Sequence, residues 1–126
     1  MLRKEIFLVD DDDDDITNFM DAIHSLNKEV NCRTAGNPIK ALEELNSTDK
    51  LPDLILLDYN MPFINGLEFL RRLRTYEKLA GIEVVMFSTP DEQIMIPWLL
   101  KNNTVVKYIS KPDTFEDLKT VLDEIL

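Results

Sequence analysis

Leu54-Ile55-Leu56-Leu57-Asp58-Tyr59-Asn60-Met61-Pro62 decides how this chain is read. Four apolar residues run into an aspartate, and Tyr-Asn-Met-Pro then turns the backbone away. An apolar run this short and unbroken suits a strand covered on both faces, as in a parallel sheet. The strand spans Leu51 to Asp58, so a carboxylate stands where a buried strand stops. In open α/β sheets ligands bind outside the carboxyl ends of the strands. Asp58 is therefore either a loop-capping residue or part of a site, and the other strand ends decide between the two.

On the N-terminal side, Ile6 to Val9 forms a first apolar run, followed directly by six aspartates, Asp10 to Asp15. Ile16, Phe19, Met20, Ile23 and Leu26 recur at helical spacing behind them, so the later aspartates cap a helix N-terminus and favour its dipole. Only Asp10 and Asp11 stay at the strand tip. His24 lies on this helix as a surface residue. Val30 to Ala35 alternates apolar and polar residues and reads as an edge strand. Asn37 caps a helix that begins at Pro38. Beyond the central run, Asn65-Gly66 opens a third helix with Leu67, Leu70 and Leu73 inward and Arg71, Arg72 and Arg74 solvated. Glu83 to Ser88 is a fourth strand ending in a hydroxyl. Pro90 to Asn103 supplies a helix interrupted by Pro97, where a kink, a short helix or a late start is expected. Thr104 to Ile109 is a fifth, mixed strand ended by Lys111-Pro112, and Thr114 to Leu126 is the last helix.

Five strands alternating with five helices predict a doubly wound α/β parallel sheet. The two mixed strands belong at the edges, which gives the order 2-1-3-4-5 of flavodoxin-like folds. The strand ends then line one rim: Asp10 and Asp11, Asp58, Ser88 and Lys111. Clustered carboxylates repel one another and call for a divalent cation, and hard oxygen ligands point to Mg²⁺. The cation and Lys111 can neutralise a phosphoryl group, Ser88 can donate a hydrogen bond to it, and Asp58 can attack phosphorus as a nucleophile to give an aspartyl phosphate.

Composition bounds the rest. A chain of 126 residues fits one domain, spanning 1–126, with a core large enough to fold without metal or disulfide staples. Its single cysteine, Cys32, has no internal partner, and no signal-like leader precedes the first strand, so a reducing cytoplasmic setting is expected. No run is long enough to span a membrane. A net charge of −10 disfavours nucleic acid as a direct partner.

Val9-Asp10-Asp11, Leu57-Asp58-Tyr59-Asn60-Met61-Pro62, Phe87-Ser88 and Lys111-Pro112 together resemble the receiver domains of two-component response regulators, in order and approximate spacing across essentially the whole chain. The resemblance implies a receiver fold with Asp58 as phosphoacceptor and Mg²⁺ held by Asp10, Asp11, Asp58 and the backbone carbonyl of Asn60. It also implies Ser88 and Lys111 on the phosphoryl oxygens, and Tyr108 as the aromatic switch partner of Ser88. In similar proteins the Lys111-Pro112 bond is cis. The implied partners are a histidine kinase or histidine phosphotransfer protein and a downstream protein target, with no output module after the last helix. Thr89 and Pro90 depart from the usual residues beside the site. Asn102-Asn103 replaces a Gly-Ala pair, and Pro97 and Trp98 mark the fourth helix, part of the usual partner surface.

Two other chemistries fit the residues less well. A haloacid-dehalogenase-like phosphatase begins with Asp-x-Asp followed by Thr or Val; Asp10 and Asp12 satisfy the first half, but Asp14 occupies the Thr/Val position. A calcium-binding EF-hand loop from Asp10 requires Gly sixth and Glu twelfth, where Asp15 and Asp21 stand. A receiver used without phosphorylation is the remaining alternative, since the residues alone do not supply a kinase.

Overall fold

The computed structural model describes residues 4–126. In chain order the elements are β1 (Lys4–Val9), α1 (Asp13–Ser25), β2 (Val30–Ala35), α2 (Pro38–Ser47), β3 (Leu54–Leu57), α3 (Gly66–Thr75), β4 (Glu83–Ser88), α4 (Glu92–Lys101), β5 (Lys107–Ser110) and α5 (Phe115–Ile125). The strands pair in parallel in the order β2-β1-β3-β4-β5. This is the expected doubly wound sheet.

Strand periodicity divides the core into two layers. Phe7, Val9, Ile55, Leu57, Val84 and Met86 face α2, α3 and α4, while Ile6, Leu8, Leu54, Leu56, Val85 and Phe87 face α1 and α5. Each residue of β3 is at most 1% exposed, and burial of one such side chain contributes about 1.5–3 kcal/mol. A one-residue slip of β3 would send Asp58 into that apolar layer, so its register fixes the carboxylate at the rim.

Helix starts follow capping chemistry. Asp12 accepts from the Asp15 N–H at 3.0 Å, Asn37 from Ile39 at 2.9 Å, Asn65 from Glu68 at 2.9 Å, Asp91 from Gln93 at 2.7 Å and Thr114 from Asp117 at 3.1 Å. Each satisfies an N–H that the helix itself leaves unpaired, typically worth about 1 kcal/mol.

The structure departs from the sequence reading in five places. β3 begins at Leu54, because Pro52 lacks an N–H for the ladder. β5 begins at Lys107 instead of Thr104, because the chain there is still closing α4: the Thr104 N–H reaches back to the Leu99 carbonyl at 2.9 Å, and Asn103 takes a φ of 57°. Helix α4 runs through Pro97 as a ten-residue helix from Glu92. Arg71 and Arg74 are more than solvated charges, since their guanidinium groups donate to the Asn102 and Val105 carbonyls, each at 3.2 Å. The Lys111-Pro112 bond is trans, as no cis peptide bond occurs among the described residues, in keeping with the modest intrinsic trans preference of X-Pro bonds. His24 is exposed, as expected.

Candidate functional site

Backbone bonds carry the sheet one residue past its formal ends. The Asp10 N–H donates to the Ala35 carbonyl at 3.0 Å, Asp58 to Val9 at 2.9 Å, and Lys111 to Ser88 at 2.8 Å. The functional side chains therefore start from fixed points on neighbouring strands. A second bracket comes from α3, whose first residue, Gly66, donates its N–H to the Tyr59 carbonyl at 2.8 Å. A Cβ on Gly66 would lie 2.7 Å from the Asp58 carbonyl oxygen, so only glycine lets the helix end approach this closely. The Asn65-Gly66 pair signals a helix start in the sequence, but its proximity to Asp58 becomes visible only in three dimensions.

Asp58 is buried and its hydrogen bonds converge on one oxygen. Ser88 Oγ donates to Asp58 Oδ1 at 2.6 Å, and the Tyr59 N–H donates to the same atom at 2.9 Å. Lys111 Nζ stands 3.7 Å from it. Lys111 instead bonds Asp10 Oδ2 at 2.7 Å and Asp15 Oδ2 at 2.8 Å. The remaining Asp10 oxygen, Oδ1, accepts from the Asp12 N–H at 3.0 Å.

These surroundings set the proton affinities. Burial pushes the Asp58 carboxyl up to about 6; the Ser88 hydrogen bond and Lys111 pull it down and Asp10 pushes it further up. Burial acts to strip the Lys111 proton, but hydrogen bonds to Asp10 and Asp15 outweigh it and hold the ammonium well above its usual range. Asp10, Asp11 and Asp58 each offer a carboxylate oxygen, all within 4.8 Å of one another. Three hard oxygen donors at that separation suit a small divalent cation. Asp10 and Asp58 are buried while Asp11 is exposed, so the set opens toward solvent on one side.

Tyr108 and Ser88 both lie at the far side of Asp58. Tyr108 is buried, and its hydroxyl donates to the Pro90 carbonyl at 2.6 Å; burial raises that phenol to about 12. Ser110 Oγ also donates to the Pro90 carbonyl, at 2.9 Å, so two residues of β5 hold the connection that leaves Ser88. Thr89 is exposed and Pro90 half-buried. Tyr59 packs edge-on against Trp98 of α4, with ring centroids 5.5 Å apart.

The structure thus gathers Asp10, Asp11, Asp58, Ser88 and Lys111 at one rim, with Tyr108 behind Ser88. Asn60 follows on the exposed side of the same turn. Sequence reasoning left Asp15, Gly66 and the Tyr59 N–H out of this group. In the sequence Asp15 reads as a helix-capping acid, and nothing local in the chain signals a contact with a lysine 96 residues away.

Comparison with known proteins agrees with this architecture. The family model of the response regulator receiver domain matches residues 6–123. The probable C4-dicarboxylate response regulator DctR of Bacillus subtilis is 30% identical over 126 residues, covering 98% of this chain and 54% of that protein. The crystal structure of the phosphorylated cyanobacterial phytochrome response regulator RcpA has a TM-score of 0.83 at 28% identity, covering 98% of this chain and 91% of that one. The Mn²⁺-bound form of response regulator Rcp1 has a TM-score of 0.79 at 25% identity, covering 97% and 91%. The chain spans about half the length of the first curated relatives it matches. No helix among the described residues is long and apolar enough to cross a membrane.

Proposed function

Because the chain belongs to the response regulator receiver family, a family of phosphoacceptor signalling domains, we propose that Asp58 is its phosphoacceptor. The observation that carries the proposal is the convergence on one buried carboxylate of a hydroxyl, a backbone N–H and an ammonium, with two further carboxylates beside it. Donors so arranged stabilise charge that develops on a transferring phosphoryl group.

Asp10, Asp11 and Asp58, with the Asn60 carbonyl, would hold Mg²⁺, which would supply neutralisation of phosphoryl oxygens. Ionised Asp58 attacks phosphorus. The P–N bond of a phosphohistidine, or the P–O bond of an acyl phosphate, breaks as the Asp58 O–P bond forms, and imidazole or carboxylate departs. Attack of water on the aspartyl phosphate returns Asp58 and releases inorganic phosphate. Lys111 turns its ammonium to the phosphoryl oxygens, and Ser88 transfers its hydrogen bond from Asp58 Oδ1 to one of them. Movement of Ser88 vacates space beside Tyr108, and a changed position of the Tyr108 ring and the Pro90 connection alters the surface offered to a protein target. A histidine kinase or phosphotransfer protein in the cytoplasm is the phosphoryl source on this reading.

Intact mass after incubation with a small acyl phosphate tests it. One phosphoryl adduct is expected in the presence of Mg²⁺, absent after chelation and absent in Asp58→Ala. An adduct that persists in the variant would overturn the assignment.

A further inference from the structure

Lys111 lies between two acidic groups of different standing. Asp10, 1% exposed at its side chain, is fixed at the tip of β1 and belongs to the carboxylate set suited to a cation. Asp15 comes from the first turn of α1, its side chain is 41% exposed, and it is outside that set. Yet both make full hydrogen bonds to Nζ, at 2.7 and 2.8 Å, while Asp58 Oδ1 is left at 3.7 Å, beyond hydrogen-bond range. The backbone N–H of Asp15 caps on Asp12, so its carboxylate is spare for this contact. Asp15 and Lys111 also line a cavity of about 140 Å³ between α1 and α5, with Asn18, Phe19 and Leu118 among its walls. The Asp15 side chain therefore has room to withdraw.

We propose that Asp15 is a positioning residue that competes with the phosphoryl group for Lys111 and thereby limits how firmly the site holds that group. The inference rests on the reading of Asp58 as phosphoacceptor. In the resting site Asp15 draws the ammonium away from Asp58, leaving that carboxylate an ion pair at 3.7 Å without a hydrogen bond. When a phosphoryl group arrives, its oxygens must win Lys111 from Asp15. The Asp15–Lys111 bond is part-buried, with the Asp15 side chain 41% exposed; a pair open to solvent on one side is weaker than a fully desolvated, charge-assisted one, so the exchange goes forward, but at a cost that Asp15 sets. Without its carboxylate the ammonium meets one fewer competitor.

Beryllofluoride, a stable phosphoryl mimic, measures this directly. It is titrated in excess Mg²⁺ into the full chain and followed by fluorine NMR, comparing wild type, Asp15→Asn, Asp15→Glu and Asp14→Asn. Asp14 precedes Asp15 on the same turn and is exposed, so its variant makes the same change in net charge without touching Lys111. Asp15→Asn should bind about three- to tenfold more tightly than wild type and lose its phosphoryl group correspondingly more slowly. Asp15→Glu should return to within about twofold of wild type and Asp14→Asn should move by less than about twofold. Equal tightening in Asp14→Asn and Asp15→Asn would reduce the effect to bulk charge and overturn the proposal, as would unchanged or weaker binding in Asp15→Asn. If wild type itself binds no beryllofluoride, the Asp58 assignment falls and takes this inference with it, a result distinct from binding that ignores Asp15.

Discussion

Helices α3 and α4 are both ten residues long and pack on the same face of the sheet, one on each side of β4 in the chain, yet they are held very differently. α3 buries Gly66, Leu67, Phe69, Leu70 and Leu73, and its first residue is pressed against the Asp58 backbone. α4 buries only Met95 and Leu99, while Ile94, Ile96, Trp98 and Leu100 are exposed. Pro97 also removes one of its interior hydrogen bonds. Beyond Met95 and Leu99 its tethers include Trp98 on Tyr59, Arg71 on the Asn102 carbonyl, the Ser110 N–H on the Glu92 carboxylate, and Tyr108 on the Pro90 carbonyl just before its N-terminus. The difference separates two tasks. If Asp58 accepts the phosphoryl group as proposed, α3 supplies the fixed platform it needs, and the sparse anchoring of α4 gives the low resistance to movement that a reporting surface needs.

The largest expected effect breaks the platform. Phe69→Ala empties a fully buried position in α3 and should cost about 3–5 kcal/mol in chemical denaturation. Ile94→Ala, matched to it on α4 and 68% exposed, should cost less than about 0.5 kcal/mol. Comparable losses would contradict the contrast between the helices.

A smaller effect concerns the price of holding Asp58 ready. Because burial raises its folded-state pKa to about 6 from an ordinary value of 3.8, the protonated form is the one that folding favours. That stabilisation is complete below pH 3.8 and is lost as pH rises through about 6. In chelator, Asp58→Asn should therefore be more stable than wild type by about 1–2 kcal/mol at pH 7, with the gap closing below about pH 4. Urea unfolding at the two pH values reads this, and a variant less stable at pH 7 would reverse the sign.

The same contrast explains what could be read in the chain. The apolar runs of β1, β3 and β4 are buried on both faces, so hydrophobicity alone locates them and places Asp10, Asp58 and Ser88 at their ends. Capping residues such as Asn37 and Thr114 mark helix starts because a side chain three residues or fewer away does the work. Around α4 these local signals weaken. Val105 and Val106 have strand-forming side chains, but the Thr104 N–H is committed to closing the helix, so β5 starts later. Asp15 shows the remaining limit. In the run of six aspartates the residues after Asp11 read as helix-capping acids, and only the packing of α5 beside α1 brings Lys111 against one of these later acids as well as against Asp10. The roles of Gly66 and of the Pro90 carbonyl are likewise tertiary facts, set by backbone approach that no side-chain pattern encodes.

The most direct test of the account is to locate the phosphoryl group. Protein phosphorylated by an acyl phosphate in Mg²⁺ is treated with borohydride, which reduces an aspartyl phosphate to a stable alcohol, and the position is read by peptide mass mapping. Reduction at residue 58 is expected, in the peptide carrying Tyr59 and Asn60. Reduction at Asp10, Asp11 or another carboxylate, with residue 58 unmodified, would contradict the central claim.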